Sequence, residues 1–276
     1  MTYLKNGYEV SERRACQAMQ MNRSSYRYVG QRELVDAVYR EVVRLSERYP
    51  YFGYRKIYDL MREPWSVSRE RVRLIRRREG LQVVPKRRKR KVLGMTTQWV
   101  HRAEYPNHVW SYDFVFDQTE DSRQLKCLTV VDEFTRQGLT IRLGRSLTAH
   151  DITRILEELF REHGRPVCIR SDNGPELVSK HVQKWLKEKH VDTHYIDPGS
   201  PWQNGYCESF NSIFRITCLD RCLFSSLTEA RVIINHWLEE YNTVRPHGSL
   251  GGLNPEQFIQ RWTEGNLNQQ PKSLTG

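Results

Sequence analysis

The chain has 276 residues, 38% of them hydrophobic, with 44 Lys and Arg against 33 Asp and Glu and a formal net charge of +11. That length suits one core domain with smaller appendages. The absence of any long apolar run argues against a membrane span, and the first residues lack the charged-then-apolar order of a secretory signal, so a soluble, cytoplasmic protein is expected.

Charge is unevenly distributed. Residues 1–95 carry 24 Lys and Arg against 10 Asp and Glu, whereas residues 96–276 carry 20 against 23. A basic front end on a slightly acidic body predicts that the front end holds a polyanion, and nucleic acid is the natural one. The six cysteines show no disulfide-framework spacing and read as reduced thiols; Cys218 and Cys222 with His190 and His194 lack zinc-finger spacing.

In chain order, residues 11–20 predict a short helix capped by Ser11, and residues 22–28 start a second, together resembling a clipped helix-turn-helix within 1–30. Leu34, Val38, Val42 and Leu45 repeat at helical spacing over 31–48, and Tyr49-Pro50 ends the run. A helix over 53–62 is predicted to break at Pro64-Trp65. Ser68 then caps a helix over 69–79 that Gly80 closes. Helix, turn and Arg-rich helix within 31–84 is the outline of a DNA-binding helix-turn-helix. Arg55, Lys56, Arg69, Arg73, Arg76 and Arg77 are its candidate DNA contacts, alongside Arg71 and Arg78. The bland alternative is a solvated basic face. Lys86, Arg87, Arg88, Lys89, Arg90 and Lys91 weigh against it, because such a run cannot fold on itself and seeks phosphates. They belong to a basic linker over 85–105.

From residue 106 the period turns strand-like. Strands are predicted over 109–117, 125–132 and 137–143, joined by short turns as an antiparallel meander. A helix capped by Thr148 reaches His163, a strand covers 166–171, a helix 179–190 and a strand 191–196. Helices over 203–218 and 227–241 follow, then a loop over 242–250, a short helix opened by Asn254-Pro255, and a polar, frayed tail over 263–276. The order β-β-β-α-β-α-β-α is that of a ribonuclease-H-like α/β fold, placed here over 106–262 behind the small all-α region.

Three acids have distinctive settings. Asp113 lies in Trp110-Ser-Tyr-Asp-Phe-Val-Phe, Asp172 ends a strand before Asn173-Gly174-Pro175-Glu176, and Glu208 rides a helix in Trp202-Gln-Asn-Gly-Tyr-Cys-Glu-Ser-Phe-Asn211. Metal-assisted phosphoryl transfer needs hard oxygen ligands of this kind, gathered around ions roughly 3.5–4 Å apart. Tyr112 and Phe114 point to the opposite strand face from Asp113, and burying them would turn Asp113 outward. On the helical stripe of Glu208 lie Asn204, Asn211, Ser212 and Arg215, with Arg215 and Asn204 as candidate DNA contacts. Asp117 and Asp132 have nearly as good strand positions, so residue type alone does not choose the trio.

Fifty-eight residues separate Asp113 from Asp172 and thirty-five separate Asp172 from Glu208. With the wording above, Tyr51-Phe-Gly-Tyr-Arg-Lys-Ile57 and Tyr241-Asn-Thr-Val-Arg-Pro-His247, the chain resembles bacterial insertion-sequence transposases with a retroviral-integrase-type core. The resemblance implies a five-stranded mixed sheet flanked by helices, with Asp113, Asp172 and Glu208 holding two Mg²⁺ or Mn²⁺ ions for cleavage and strand transfer at the element ends. It also implies double-stranded DNA as substrate, a homo-oligomer that synapses the ends, and a nucleoid-associated bacterial location. The chain is similar to the second of two overlapping frames, with the upstream-frame product as fusion or partner. A hydrolytic nuclease of the same fold and a non-catalytic DNA-binding regulator using 1–95 are the rival readings.

Overall fold

The computed structural model describes residues 11–23, 32–83, 102–172, 174, 179–195 and 204–269. Most of the expected helix over 22–28, most of the basic linker and the end of the tail lie outside them.

The front end is helical: α1 (Glu12–Ala18), α2 (Arg32–Arg48), α3 (Tyr54–Trp65) and α4 (Arg69–Arg78). Ser11 Oγ accepts the Arg14 amide and Ser68 Oγ accepts the Arg71 amide, as N-caps should. Val38, Val42 and Leu45 of α2, Ile57 and Met61 of α3 and Val72 of α4 bury one shared cluster around Phe52 and Tyr49. The helix expected over 53–62 with a break at Pro64-Trp65 instead continues through both residues. Pro64 sits inside the last turn of α3, where the missing amide costs one hydrogen bond at most, and the chain turns only at Ser66, in the left-handed region.

The core is a five-stranded mixed sheet in the order β3-β2-β1-β4-β5. β1 (Val109–Gln118), β2 (Gln124–Asp132) and β3 (Gly138–Gly144) form the expected antiparallel meander. β4 (Cys168–Ser171) runs parallel to β1, and β5 (Asp192–Tyr195) parallel to β4. The helices α5 (Ala149–His163) and α6 (Lys180–Glu188) make the parallel crossovers. They bury Ile152, Leu156, Leu159, Val182 and Leu186 against Trp110, Tyr112, Leu128 and Val130 on one sheet face. On the other face α7 (Gly205–Thr217) and α8 (Leu227–Thr243) bury Phe210, Phe214, Ile234 and Trp237 against Val115, Leu125, Val131 and Ile141. Strand alternation thus sends odd positions of β1 toward α7 and even positions toward α5.

The last helix, α9 (Pro255–Gln269), runs well past the expected start of the tail. Its Phe258 and Trp262 pack on Phe134, which anchors the helix beyond the short stretch its opening residues suggest. The helical front end rests on the core's C-terminal part: Arg245 lies 5.3 Å over the Phe52 ring, Arg221 5.3 Å over Tyr51, and Arg62 Nη1 donates to the Gly251 carbonyl at 3.2 Å. Among the described residues no helix is long and apolar enough to cross a membrane.

Candidate active site

Asp113 and Asp172 are brought together by the parallel register of β1 and β4. Tyr112 pairs with Ser171, so the two acids are the next residues along adjacent strands, at the carboxyl end of β4. Asp113 does not turn freely outward as the sequence suggested. Tyr112 and Phe114 do occupy the α5 side, but α7 covers the opposite face, leaving Asp113 half-buried beneath it.

The Asp113 carboxylate is held at both oxygens. Oδ1 accepts the Phe114 amide at 2.7 Å and Oδ2 accepts Asn211 Nδ2 at 2.8 Å. Burial and the Asp172 charge nonetheless push its carboxyl up to about 6, Glu208 adding to the rise. Asp172 Oδ1 accepts the Gly174 amide at 3.1 Å. Glu208, in the first turn of α7, is exposed, and its carboxyl is raised by partial burial.

Burial and two neighbouring acids raise the cost of ionising Asp113, which a divalent cation would relieve, and oxygen donors suit Mg²⁺ or Mn²⁺. The donor chemistry therefore fits such an ion. Among the described residues no three acidic, His or Cys side chains are already gathered into a metal-binding group.

A second polar layer lies under the acids on the α7 face. Arg170, two residues before Asp172, sets Nη1 2.9 Å from both oxygens of Glu133, and Ser111 Oγ, two residues before Asp113, donates to Glu133 Oε1. All three are buried. A charge pair withdrawn from water needs close contact and further hydrogen bonds to offset its desolvation, which Nη1 bridging both carboxylate oxygens and the Ser111 hydroxyl supply. Its sequence signal was the i, i+2 spacing of Ser111 from Asp113 and Arg170 from Asp172, which places each pair on one strand face.

The alternative acids do other work. Asp132 accepts the amides of Asn107, Phe134 and Thr135 at 2.7–2.9 Å, building the β2–β3 turn, and Asp117 accepts the Gln118 amide at 2.8 Å near the far end of β1.

The expected DNA contacts sort into several groups. Arg215 Nη2 donates to the Phe116 carbonyl at 2.6 Å and Nη1 lies 3.9 Å from Asp220, which docks the guanidinium at the β1 end with part of it exposed. Asn204 is corrected as a surface contact: it is 2% exposed at the α7 N-terminus, and its Oδ1 has no hydrogen-bond partner among the described residues. Arg76 is likewise corrected. It is 2% exposed and donates to the Phe52 carbonyl at 2.5 Å and the Leu81 carbonyl at 3.0 Å, so it ties α4 to the turn before α3. Lys56 is half-buried, 5.2 Å over the Phe52 ring, and burial with the Arg245 charge pushes its ammonium down to about 7.

Arg73 forms a two-pronged pair with Glu70 at 2.8 and 2.5 Å, Arg69 lies 5.1 Å over Tyr58, and Arg55 leans on Tyr54. Arg55, Arg69 and Arg77 are exposed. Lys86, Arg87, Arg88, Lys89, Arg90 and Lys91 lie outside the described residues.

The family model described as Integrase core domain matches residues 103–201, and a second of that description matches residues 189–255. The chain is 35% identical over 263 residues to a 31.7 kDa protein of insertion element IS407 from Burkholderia multivorans, covering 95% of each chain. It is 27% identical over 159 residues to the transposase InsF for insertion sequence IS3A of Escherichia coli, covering 56% of this chain and 55% of that one. A solved structure of a simian T-cell lymphotropic virus intasome in complex with PP2A regulatory subunit B56 gamma is similar with a TM-score of 0.53 at 15% identity, over 83% of this chain and 75% of that one. That last likeness is one of fold.

Proposed function

The chain belongs to the insertion-element transposases that carry an integrase core domain, and we propose that it catalyses divalent-metal-dependent cleavage and strand transfer at the ends of a bacterial insertion sequence. The observation that carries this reading is the β1–β4 register, which sets Asp113 and Asp172 side by side while α7 brings Glu208 to the same sheet edge.

Asp113, Asp172 and Glu208 would hold two Mg²⁺ or Mn²⁺ ions. Bound there, the ions would lower the pKa of the attacking oxygen and offset charge on the oxygens of the scissile phosphate. The chain's own residues supply ligands and position. In cleavage, a water oxygen bonds to phosphorus, the bond to the 3′-oxygen breaks, and that oxygen leaves as a 3′-hydroxyl. In transfer, the freed 3′-hydroxyl attacks a second phosphodiester, so one such bond forms as another breaks. No protein nucleophile takes part, and no external energy source is needed.

The rest of the machinery is proposed on chemistry of the same kind. Exposed Arg55, Arg69 and Arg77, with the part-exposed Arg215 at the end of β1 and residues 86–91 between the two regions, bind duplex DNA by phosphate neutralisation. Residues 31–84 act as the helix-turn-helix and 106–262 as the catalytic core, in a homo-oligomer that pairs two element ends in the bacterial cytoplasm. The chain is the product of a second reading frame, and the upstream-frame product joins or partners it.

Duplex DNA ending in the element's terminal repeat tests the reading. With Mg²⁺, products joined to a second duplex are expected; nicked ends without joined products would instead mark a hydrolytic nuclease.

A further inference from the structure

We infer that Asn211, set by Thr129, is the positioning residue that fixes the Asp113 carboxylate and the Glu208 helix relative to each other; this rests on the reading of those acids as metal ligands. Asn211 Nδ2 lies 2.8 Å from Asp113 Oδ2, and Asn211 Oδ1 lies 2.9 Å from Thr129 Oγ1. An ionised carboxylate only accepts, so the amide nitrogen must face Asp113. The amide oxygen must then face Thr129, whose one hydroxyl proton is shared between it and the Asp113 carbonyl. Three side chains from β1, α7 and β2 are thereby locked in a single arrangement.

Each anchor is itself fixed. Thr129 is the direct register partner of Asp113 across β1 and β2, is fully buried, and lies 3.1 Å from the Asp113 carbonyl. Cys207 seals the site, its Sγ 3.7 Å from Thr129 Oγ1 and 3.9 Å from Asn211 Nδ2, with no exposed surface. Excluding water strengthens the hydrogen bonds it covers. With Phe114 donating to Oδ1 and Asn211 to Oδ2, rotation of the carboxylate about its stem is blocked, and one outward side of each oxygen is left for a ligand.

Asn211 stands three residues after Glu208 on α7, so the hydrogen bond that orients one acid also sets the height of the other above the sheet. Neighbours that hold metal-binding carboxylates commonly change metal affinity by 10–100-fold when removed. A residue that contributed only to packing would change stability and leave the metal requirement alone.

The experiment is direct Mn²⁺ titration of the full chain, followed by paramagnetic resonance, with the Mg²⁺ concentration for half-maximal strand joining measured alongside. Asn211→Ala is expected to weaken Mn²⁺ binding by about 10-fold or more and to raise the Mg²⁺ requirement similarly, with KM for DNA unchanged. Thr129→Val, close in shape, carries the test if Asn211→Ala folds poorly, and is expected to shift both readouts the same way; Thr129→Ser should restore them. Wild-type Mn²⁺ affinity in both Asn211→Ala and Thr129→Val, beside lost binding in Asp113→Asn, would overturn the inference alone. Undiminished Mn²⁺ binding in Asp113→Asn would overturn the metal-site reading beneath it.

Discussion

Asp113 and Asp172 stand one residue beyond the Tyr112–Ser171 pair of two parallel strands, and burial together with the Asp172 charge holds the Asp113 carboxyl well above the ordinary carboxylate range. Without a cation, the folded chain keeps two acids closer than their charges favour.

This has a pH-dependent consequence. The Asp113 carboxyl rises from 3.8 to about 6 on folding. Between about pH 4 and 6 the folded state therefore binds more protons than the unfolded chain, and stability falls as pH rises through that window. Above pH 6 the full penalty of the ionised acid is present. Asp113→Asn is expected to stabilise the metal-free protein at pH 7.5 by about 1–3 kcal/mol, with the gain lost near pH 4. Thermal melts at the two pH values measure it; equal melting temperatures for both proteins at pH 7.5 would contradict the assignment.

Arg76 and Arg77 are neighbours with opposite expected behaviour. Arg76→Ala should destabilise the protein by about 2–4 kcal/mol, because it empties a buried site and strips the Phe52 and Leu81 carbonyls of their donor. Arg77→Ala should leave the melting temperature nearly unchanged while weakening duplex DNA binding and reducing the salt slope by about 1. Melting curves and salt-titrated binding of the two variants separate the roles.

The basic run 86–91 sets the scale of DNA binding. About six neutralised phosphates imply a log-log salt slope near −5. Replacing all six residues by Gln should flatten the slope markedly in fluorescence anisotropy. A slope unchanged by the replacement would remove the run from the contact surface.

Arg170→Met should be far more damaging than its distance from solvent suggests. It removes the guanidinium paired with the buried Glu133 carboxylate, leaving the Ser111 hydroxyl and the more distant Arg136 charge, a loss of about 3–5 kcal/mol. Adding Glu133→Leu should recover part of that, as chemical denaturation would show; a double variant no more stable than Arg170→Met would indicate that the pair does more than cancel its own desolvation.

These contrasts show where local sequence is a sufficient guide. Strand alternation in 109–117 and the helical repeat of 31–48 were readable because each has one dominant periodicity, and the sheet followed from the order of elements. The acid trio was chosen by its local wording and spacing, since residue type left Asp117 and Asp132 as rivals. Arg76 was hidden among the arginines of its helix, although its position four residues after buried Val72 puts it on the inward face. Asn204 was misplaced for a related reason: its periodic match to Glu208 ignored that the helix begins at Gly205. The Asn211–Thr129 and Arg170–Glu133 contacts required long-range register that no local pattern contains.

The central claim is that Asp113, Asp172 and Glu208 act as one metal-dependent centre. Its most direct test is single-turnover cleavage and joining of terminal-repeat DNA in Mg²⁺ by Asp113→Asn, Asp172→Asn and Glu208→Gln, with Asp117→Asn as control. Each of the first three is expected to lose both steps by at least about a thousand-fold with DNA affinity retained, as removal of a charge-stabilising catalytic group does, while Asp117→Asn stays near wild type. Wild-type cleavage and joining by Glu208→Gln would contradict the account.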